Sequence, residues 1–118
     1  MCREGIEDKI ERGEILVAWL GDVRVGWLRW SYFWDAIPFM NLLYVVESER
    51  GRSIGKALVL KWETLMRSNG VERVLTSTLS NETAQHFYRK LGYRDTGSLL
   101  LPDEALEIIL TKTLTEAR

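Results

Sequence analysis

Apolar and polar positions change rhythm several times along the chain, and each change predicts an element. Residues Gly5 to Arg12 are polar apart from Ile6 and Ile10, which predicts a short helix with a narrow apolar edge, stopped at Gly13. From Glu14 to Leu20 and from Val23 to Tyr32 the pattern is strand-like. Gly21-Asp22 between them suits a two-residue hairpin turn with glycine at its first central position. Pro38 then opens PFMNLLYVV, apolar at nearly every position, as a strand covered on both faces requires.

Ile54, Ala57, Leu58, Trp62, Leu65 and Met66 fall at helical spacing, and Asn69-Gly70 supplies the stop. Val71 to Leu79 returns to strand. Asn81 to Leu91 predicts a second amphipathic helix, with Ala84, Phe87, Tyr88 and Leu91 on one face and Gly92 at its end. Tyr93 to Leu101 and Leu106 to Leu114 read as two closing strands around Pro102-Asp103. The order α-β-β-β-α-β-α-β-β places antiparallel hairpins at both ends of a β-α-β unit. It implies an α/β (α+β) fold, a mixed and mostly antiparallel twisted sheet with helices on both faces.

At 118 residues, 46% of them hydrophobic, the chain fits one small domain spanning residues 1–118. Its 16 Lys plus Arg stand against 17 Asp plus Glu, so no general basic field exists to hold nucleic acid, and an anion must be met by a local site. The apolar runs fall short of a membrane span and the start lacks the order of a signal peptide, so a soluble cytoplasmic protein is expected. Cys2, the single cysteine, excludes an internal disulfide and a thiolate metal cage, and is read as a bystander in a frayed terminus.

Against this even background the stretch SERGRSIGKAL, Ser48 to Leu58, is cationic and punctuated by glycine where a strand gives way to a helix. A helix start there would present unpaired N–H groups and the positive end of its dipole to an anion. It is not a Walker A loop, because only three residues separate Gly51 from Gly55 and Ala57 stands where a magnesium-binding hydroxyl belongs. A solvated basic turn balancing Glu47 and Glu49 is the plain alternative.

Some two dozen residues on comes NETAQHFYRKLGY, Asn81 to Tyr93. The pair of motifs resembles the GNAT acyltransferase superfamily, whose pyrophosphate loop reads Q/R-x-x-G-x-G/A and whose later helix reads N-x-x-A-x-x-F/L-Y-x-x-x-G-F/Y. Arg50, Ser53 and Gly55 match the first, with serine for its first glycine; Asn81, Ala84, Phe87, Tyr88, Gly92 and Tyr93 match the second throughout. The order of elements agrees over nearly the whole chain, although the family's usual first strand and first helix are lacking.

The resemblance implies acyl transfer from acetyl-coenzyme A, bound in a V-shaped opening between the fourth and fifth strands of the family fold, to a small-molecule or peptide amine, without a metal. It puts the pantetheine arm on the backbone around Val45 and Val46. The pyrophosphate falls to the amides from about Arg52 to Lys56, Gly51 and Gly55 included, with Arg50, Arg52 and Lys56 as countercharge. Asn81 would cap the second helix, reach the arm, or both. Tyr88 would protonate the leaving thiolate, against the plain reading of a core residue on its apolar stripe.

Asn41 falls where many members carry a glutamate base, which leaves Glu47, Asp35 or a water relay for the amine's proton. Phe33, Trp34 and Asp35 form an aromatic and acidic stretch suited to a substrate ammonium group, or to sheet packing. Thr76 and Thr78 could orient waters or serve the strand structurally, and His86 is read as solvated. Without the family's first strand, Ile15 to Leu20 should be an unpaired edge, which predicts closure by a second copy in a homodimer, or a longer parent chain. A noncatalytic coenzyme A binding or dimerising domain of the same fold is the alternative function, and a structural domain without ligand the third.

Overall fold

The computed structural model describes residues 5–9 and 14–114, with side chains described from residue 14 onward. Seven strands form one sheet: β1 (Gly5–Lys9), β2 (Ile15–Leu20), β3 (Val23–Phe33), β4 (Ile37–Val45), β5 (Arg73–Leu79), β6 (Arg94–Leu99) and β7 (Glu107–Thr113). Helix α1 (Ile54–Ser68) connects β4 to β5, and α2 (Ala84–Lys90) connects β5 to β6. The strand order is β1-β2-β3-β4-β5-β7-β6, antiparallel throughout except between β4 and β5. The mixed, mostly antiparallel sheet expected from the sequence is therefore present.

The start of the chain corrects that reading. Gly5–Lys9 is a strand rather than part of a helix, and it pairs with β2 from Gly5 opposite Trp19 to Lys9 opposite Ile15. Two apolar residues four apart share a face in a strand as well as in a helix, so Ile6 and Ile10 fit both periods. The open flank of β2 supplies backbone partners that decide for the strand. Hence β2 is not the unpaired edge that was expected. Cys2 and the proposed stop at Gly13 lie outside the described residues.

The β2–β3 turn is the expected one, with Gly21 at φ 63° and Leu20 facing Val23. Helix α1 ends as its sequence indicates, with Asn69 as C-cap and Gly70 at φ 82°. Its inner face buries Leu58, Val59, Trp62 and Met66 against Leu16, Leu28, Trp30 and Met40 of the sheet. Each such side chain is worth about 1.5–3 kcal/mol. Gly26 permits the close approach, since a Cβ there would lie 3.1 Å from Leu58 Cδ1 and 3.2 Å from the Tyr44 carbonyl oxygen.

Helix α2 begins at Ala84, later than Asn81, and packs Tyr88 into the same core as α1. The two helices lie on one face of the sheet rather than on both as the sequence suggested, because Tyr88 of α2 joins the core that α1 buries. On the other, Leu42 and Tyr44 of β4 remain 43% and 42% exposed, so β4 is less covered than its apolar sequence implies. Between the helices and β7 lies a buried polar group. Glu63 of α1, 2% exposed, accepts hydrogen bonds from the Tyr93 hydroxyl and from Lys112 Nζ, each at 2.9 Å.

Candidate active site

The only parallel pairing among the described residues, β4 with β5, is two residue pairs long: Phe39 with Leu75 and Met40 with Thr76. Immediately beyond it β4 carries an irregularity against β3, where Arg29 faces Leu42 and Trp30 faces Met40, leaving Asn41 as the extra residue. A bulge bends its strand and ends regular pairing. Thr76 Oγ1 donates to the Met40 carbonyl at 3.1 Å, satisfying an acceptor at the place where the strands part. The sheet opens from there toward Val45 and Leu79.

A cavity of about 680 Å³ fills this opening on the helix side, within the usual range of small-molecule sites. Leu43 and Val45 of β4 line it from the sheet, with Tyr44 between them at its edge; α1 contributes Ile54, Gly55 and Lys56; α2 contributes Ala84, Phe87 and Tyr88. Glu49, Arg50, Gly51, Ser53 and Thr83 complete the lining. The first-turn amides of α1, at Ile54, Gly55 and Lys56, have no intrahelical acceptor. No acidic residue stands in that turn. An anion at the cavity mouth therefore meets backbone donors, the dipole end and two cationic side chains. The apolar interior suits an uncharged arm.

Seven of the ten residues carried over by the motifs meet in this one cavity: Val45, Arg50, Gly51, Ser53, Gly55, Lys56 and Tyr88. Three do not line it. Val46 spends its N–H on the Val25 carbonyl and its own carbonyl on the Glu49 N–H. Arg52 is ion-paired with Glu49 at 3.3 Å. Asn81 is exposed in the turn before α2, whose N-cap position is Thr83. Gln85 Nε2 donates to the Ser80 and Glu82 carbonyls at 2.8 Å, so the turn is satisfied from within the helix rather than by Asn81.

Arg50 is placed more specifically than its charge suggested. Its Nε donates to the Val45 carbonyl at 2.8 Å and its guanidinium lies 5.5 Å from the Tyr44 ring centre. Ser53, in the position of a motif glycine, adopts φ 65°. That left-handed conformation costs a residue with a side chain about 1–2 kcal/mol.

Tyr88 is held between Phe87 and Tyr93, with ring centres 5.2 and 5.7 Å away, both edge-on. Burial pushes its phenol above the ordinary pKa; a hydrogen bond with Thr76 opposes that and the Glu82 carboxylate adds to it. The group therefore remains a proton donor at neutral pH. Among residues that sequence reasoning missed, Leu43 and Phe87 form the apolar walls. Phe87 stood inside the second motif, so its signal was present.

The weaker substrate candidates divide. Phe33 and Asn41 line a second cavity of about 250 Å³ on the opposite face of the sheet. Trp34 and Asp35 form the β3–β4 turn, at φ 53° and 57°. Glu47 sits in a one-turn helix after β4 and lines neither cavity.

Comparison with known proteins agrees with this geometry. Ard1 from Thermoplasma volcanium superposes with a TM-score of 0.79 at 22% identity, covering 87% of this chain and 72% of that one. An aminoglycoside 6'-N-acetyltransferase complexed with coenzyme A gives 0.76 at 22% identity, over 88% and 74% of the two chains. A GNAT-family acetyltransferase from Bacillus cereus gives 0.71 at 24% identity, over 86% and 71%. At such identities these likenesses speak for the fold. No curated protein matches the sequence. A sequence model of the acetyltransferase (GNAT) family matches residues 2–93, which span both motifs and the cavity they line, and the chain therefore belongs to the GNAT family of acetyltransferases.

Proposed function

We propose that the protein transfers the acetyl group of acetyl-coenzyme A to a primary amine, by direct attack of the amine on the thioester. The observation that carries this reading is the cavity between β4 and β5, which joins a helix-start anion cradle at one end to a protonated phenol at the other. Coenzyme A in complex with the aminoglycoside acetyltransferase of similar fold supports the choice of donor. The first-turn amides of α1, with Arg50 and Lys56, would hold the pyrophosphate. Leu43, Ala84 and Phe87 would flank the arm, and Tyr88 would give its proton to the departing sulfur. The bound thioester supplies the activated acyl group.

A noncatalytic coenzyme A binding domain is the second reading, favoured by the strain at Ser53 and by Asn41 in place of a carboxylate. A thermal-shift titration with coenzyme A should raise Tm under both readings, because a ligand that binds only the folded chain stabilises it. Thiol release from acetyl-coenzyme A over a panel of amines separates them. Tyr88→Phe should then reduce kcat about 10²-fold or more with little change in coenzyme A affinity. Equal losses in both, or none in either, would remove Tyr88 from the proton-donating role.

A further inference from the structure

The smaller cavity opens on the sheet face opposite the helices, beside the point where β4 and β5 separate. Its lining brings Glu107 of β7 together with Ser77 of β5, Asn41 of the β4 bulge, and the aromatic rings of Tyr32, Phe33 and Phe39. Glu107 is half-buried and is the one charged side chain in that lining among the described residues. Ser77 Oγ donates to its Oε2 at 2.7 Å, fixing one carboxylate oxygen. Asn41 is tied to Ser31 through Nδ2 at 2.8 Å, which turns its amide oxygen, an acceptor, to other partners.

We infer that this cavity is the acceptor subsite, that it takes an alkylammonium group, and that Glu107 holds the ammonium and receives its proton. The inference rests on the acetyltransferase reading above and supplies the base that Asn41 cannot be. The chemistry fits a cation on three counts. Glu107 is the one carboxylate among the described residues of a lining whose other polar side chains, such as Ser31, Asn41 and Ser77, are neutral, so an ammonium would meet a negative charge and no competing cation. Aromatic faces attract a cation through their quadrupoles, and Phe33 stacks with Phe39 at 6.1 Å to present such a wall. A volume of about 250 Å³ admits a small alkylamine or the amine-bearing end of a larger molecule.

The β3–β4 turn adds an independent observation. Trp34 is 82% exposed, stacked 4.7 Å from Phe33, and held at positive φ together with Asp35. An exposed indole contributes little to the core, and its left-handed backbone carries a cost of about 1 kcal/mol or more. A turn that keeps a strained, exposed aromatic next to a cavity is better suited to meeting a ligand than to stabilising the fold.

The larger cavity lies on the helix side of the β4–β5 opening and the smaller on the opposite face, so the amine would approach the thioester from the side away from coenzyme A. The ammonium gives one proton to the Glu107 carboxylate, which passes it to water. The freed nitrogen lone pair forms the C–N bond and the C–S bond breaks, with the electron pair leaving on sulfur. The sulfur takes the Tyr88 proton, the nitrogen loses its surplus proton to solvent, and Tyr88 is reprotonated. One proton is released per amide formed.

Isothermal titration of the coenzyme A saturated protein with n-butylamine, cadaverine and spermidine tests the subsite apart from turnover. At least one amine should bind, butyrate should not, and Glu107→Gln should weaken amine binding about tenfold or more. Ser77→Ala, which frees the carboxylate, should weaken it several-fold and decides the matter if the first variant does not fold. In thiol-release assays Glu107→Gln should cut kcat/KM for the amine about 10²-fold while coenzyme A affinity holds. Amine binding that survives both substitutions, or no amine binding to a protein that does bind coenzyme A, overturns the subsite. Amine binding lost with Glu107→Gln in a protein whose Tm ignores coenzyme A upholds the subsite and overturns the donor reading instead.

Discussion

The hydroxyl of Tyr93 donates to Oε2 of Glu63 at 2.9 Å, joining the segment after α2 to the middle of α1 across a buried interface. Burial, and after it the Glu63 carboxylate, push the Tyr93 phenol far above its ordinary pKa, so it remains a donor at neutral pH. The same ring packs edge-on against Tyr88. One side chain thus settles a buried carboxylate and backs the candidate acid.

Tyr93→Phe leaves the carboxylate with Lys112 alone. It should cost about 1–3 kcal/mol, the usual penalty for an acceptor deprived of a buried partner. Urea denaturation would measure it. Stability equal to the parent's would mean that water replaces the hydroxyl and that the latch contributes little.

Relief of the strain at position 53 should be visible in two quantities at once. Ser53→Gly removes a left-handed side-chain residue, and after allowance for glycine's greater unfolded entropy should add about 0.5–1 kcal/mol, or roughly 2–5 °C in Tm. Coenzyme A affinity should rise with it, because the preceding backbone would no longer resist the cradle conformation. A lower Tm would show that the serine hydroxyl compensates for its backbone.

Gly55→Ala should divide stability from binding. A Cβ there would meet Phe87, Val45 and Leu43 at ordinary contact distances of 3.7 to 3.8 Å, so the fold accepts it. Alanine also favours the helix, by up to about 1 kcal/mol. The family motif matched by Arg50, Ser53 and Gly55 admits alanine at this last position, so coenzyme A affinity should hold while stability rises. A loss of about tenfold or more, read by calorimetry, would show that the bound ligand needs the space the methyl group takes.

Arg89 grips Asp95 through Nε to Oδ1 and Nη2 to Oδ2, both at 2.9 Å, fastening α2 to the start of β6. The hydrogen bond from the guanidinium, chiefly, lowers the Asp95 pKa. A depressed folded-state pKa contributes stability above the unfolded value, near 3.8, and loses it as pH falls through the folded one. Asp95→Asn should therefore lower Tm slightly at pH 7, and the gap to the parent should close below pH 3.8. A gap that persists in acid would assign the effect to the amide rather than to the charge.

Much of this architecture was legible because the signals are local. The β2–β3 turn, the whole of α1 and the meeting of Arg50, Ser53, Gly55 and Tyr88 follow from glycine placement, helical spacing and two motifs. Gly5–Lys9 is ambiguous in sequence because a spacing of four suits both periods, and only the neighbouring strand resolves it. Asn81, expected to cap α2, to reach the pantetheine arm, or both, does not cap the helix, because the turn before it is closed by Gln85 through side-chain bonds that no propensity encodes. Glu107 was invisible for a different reason. Its partner Ser77 lies 30 residues away and reaches it only through the pairing of β5 with β7, in which Leu79 faces Glu107.

The two-pair ladder at Phe39–Met40 and Leu75–Thr76 divides the sheet into a left and a right wing that share little else in their hydrogen bonding. Strand pairing therefore does little to hold the wings together. That task falls to the core buried under the two helices, a single cluster that runs from Leu16 and Leu28 on one wing to Val74 and Leu110 on the other.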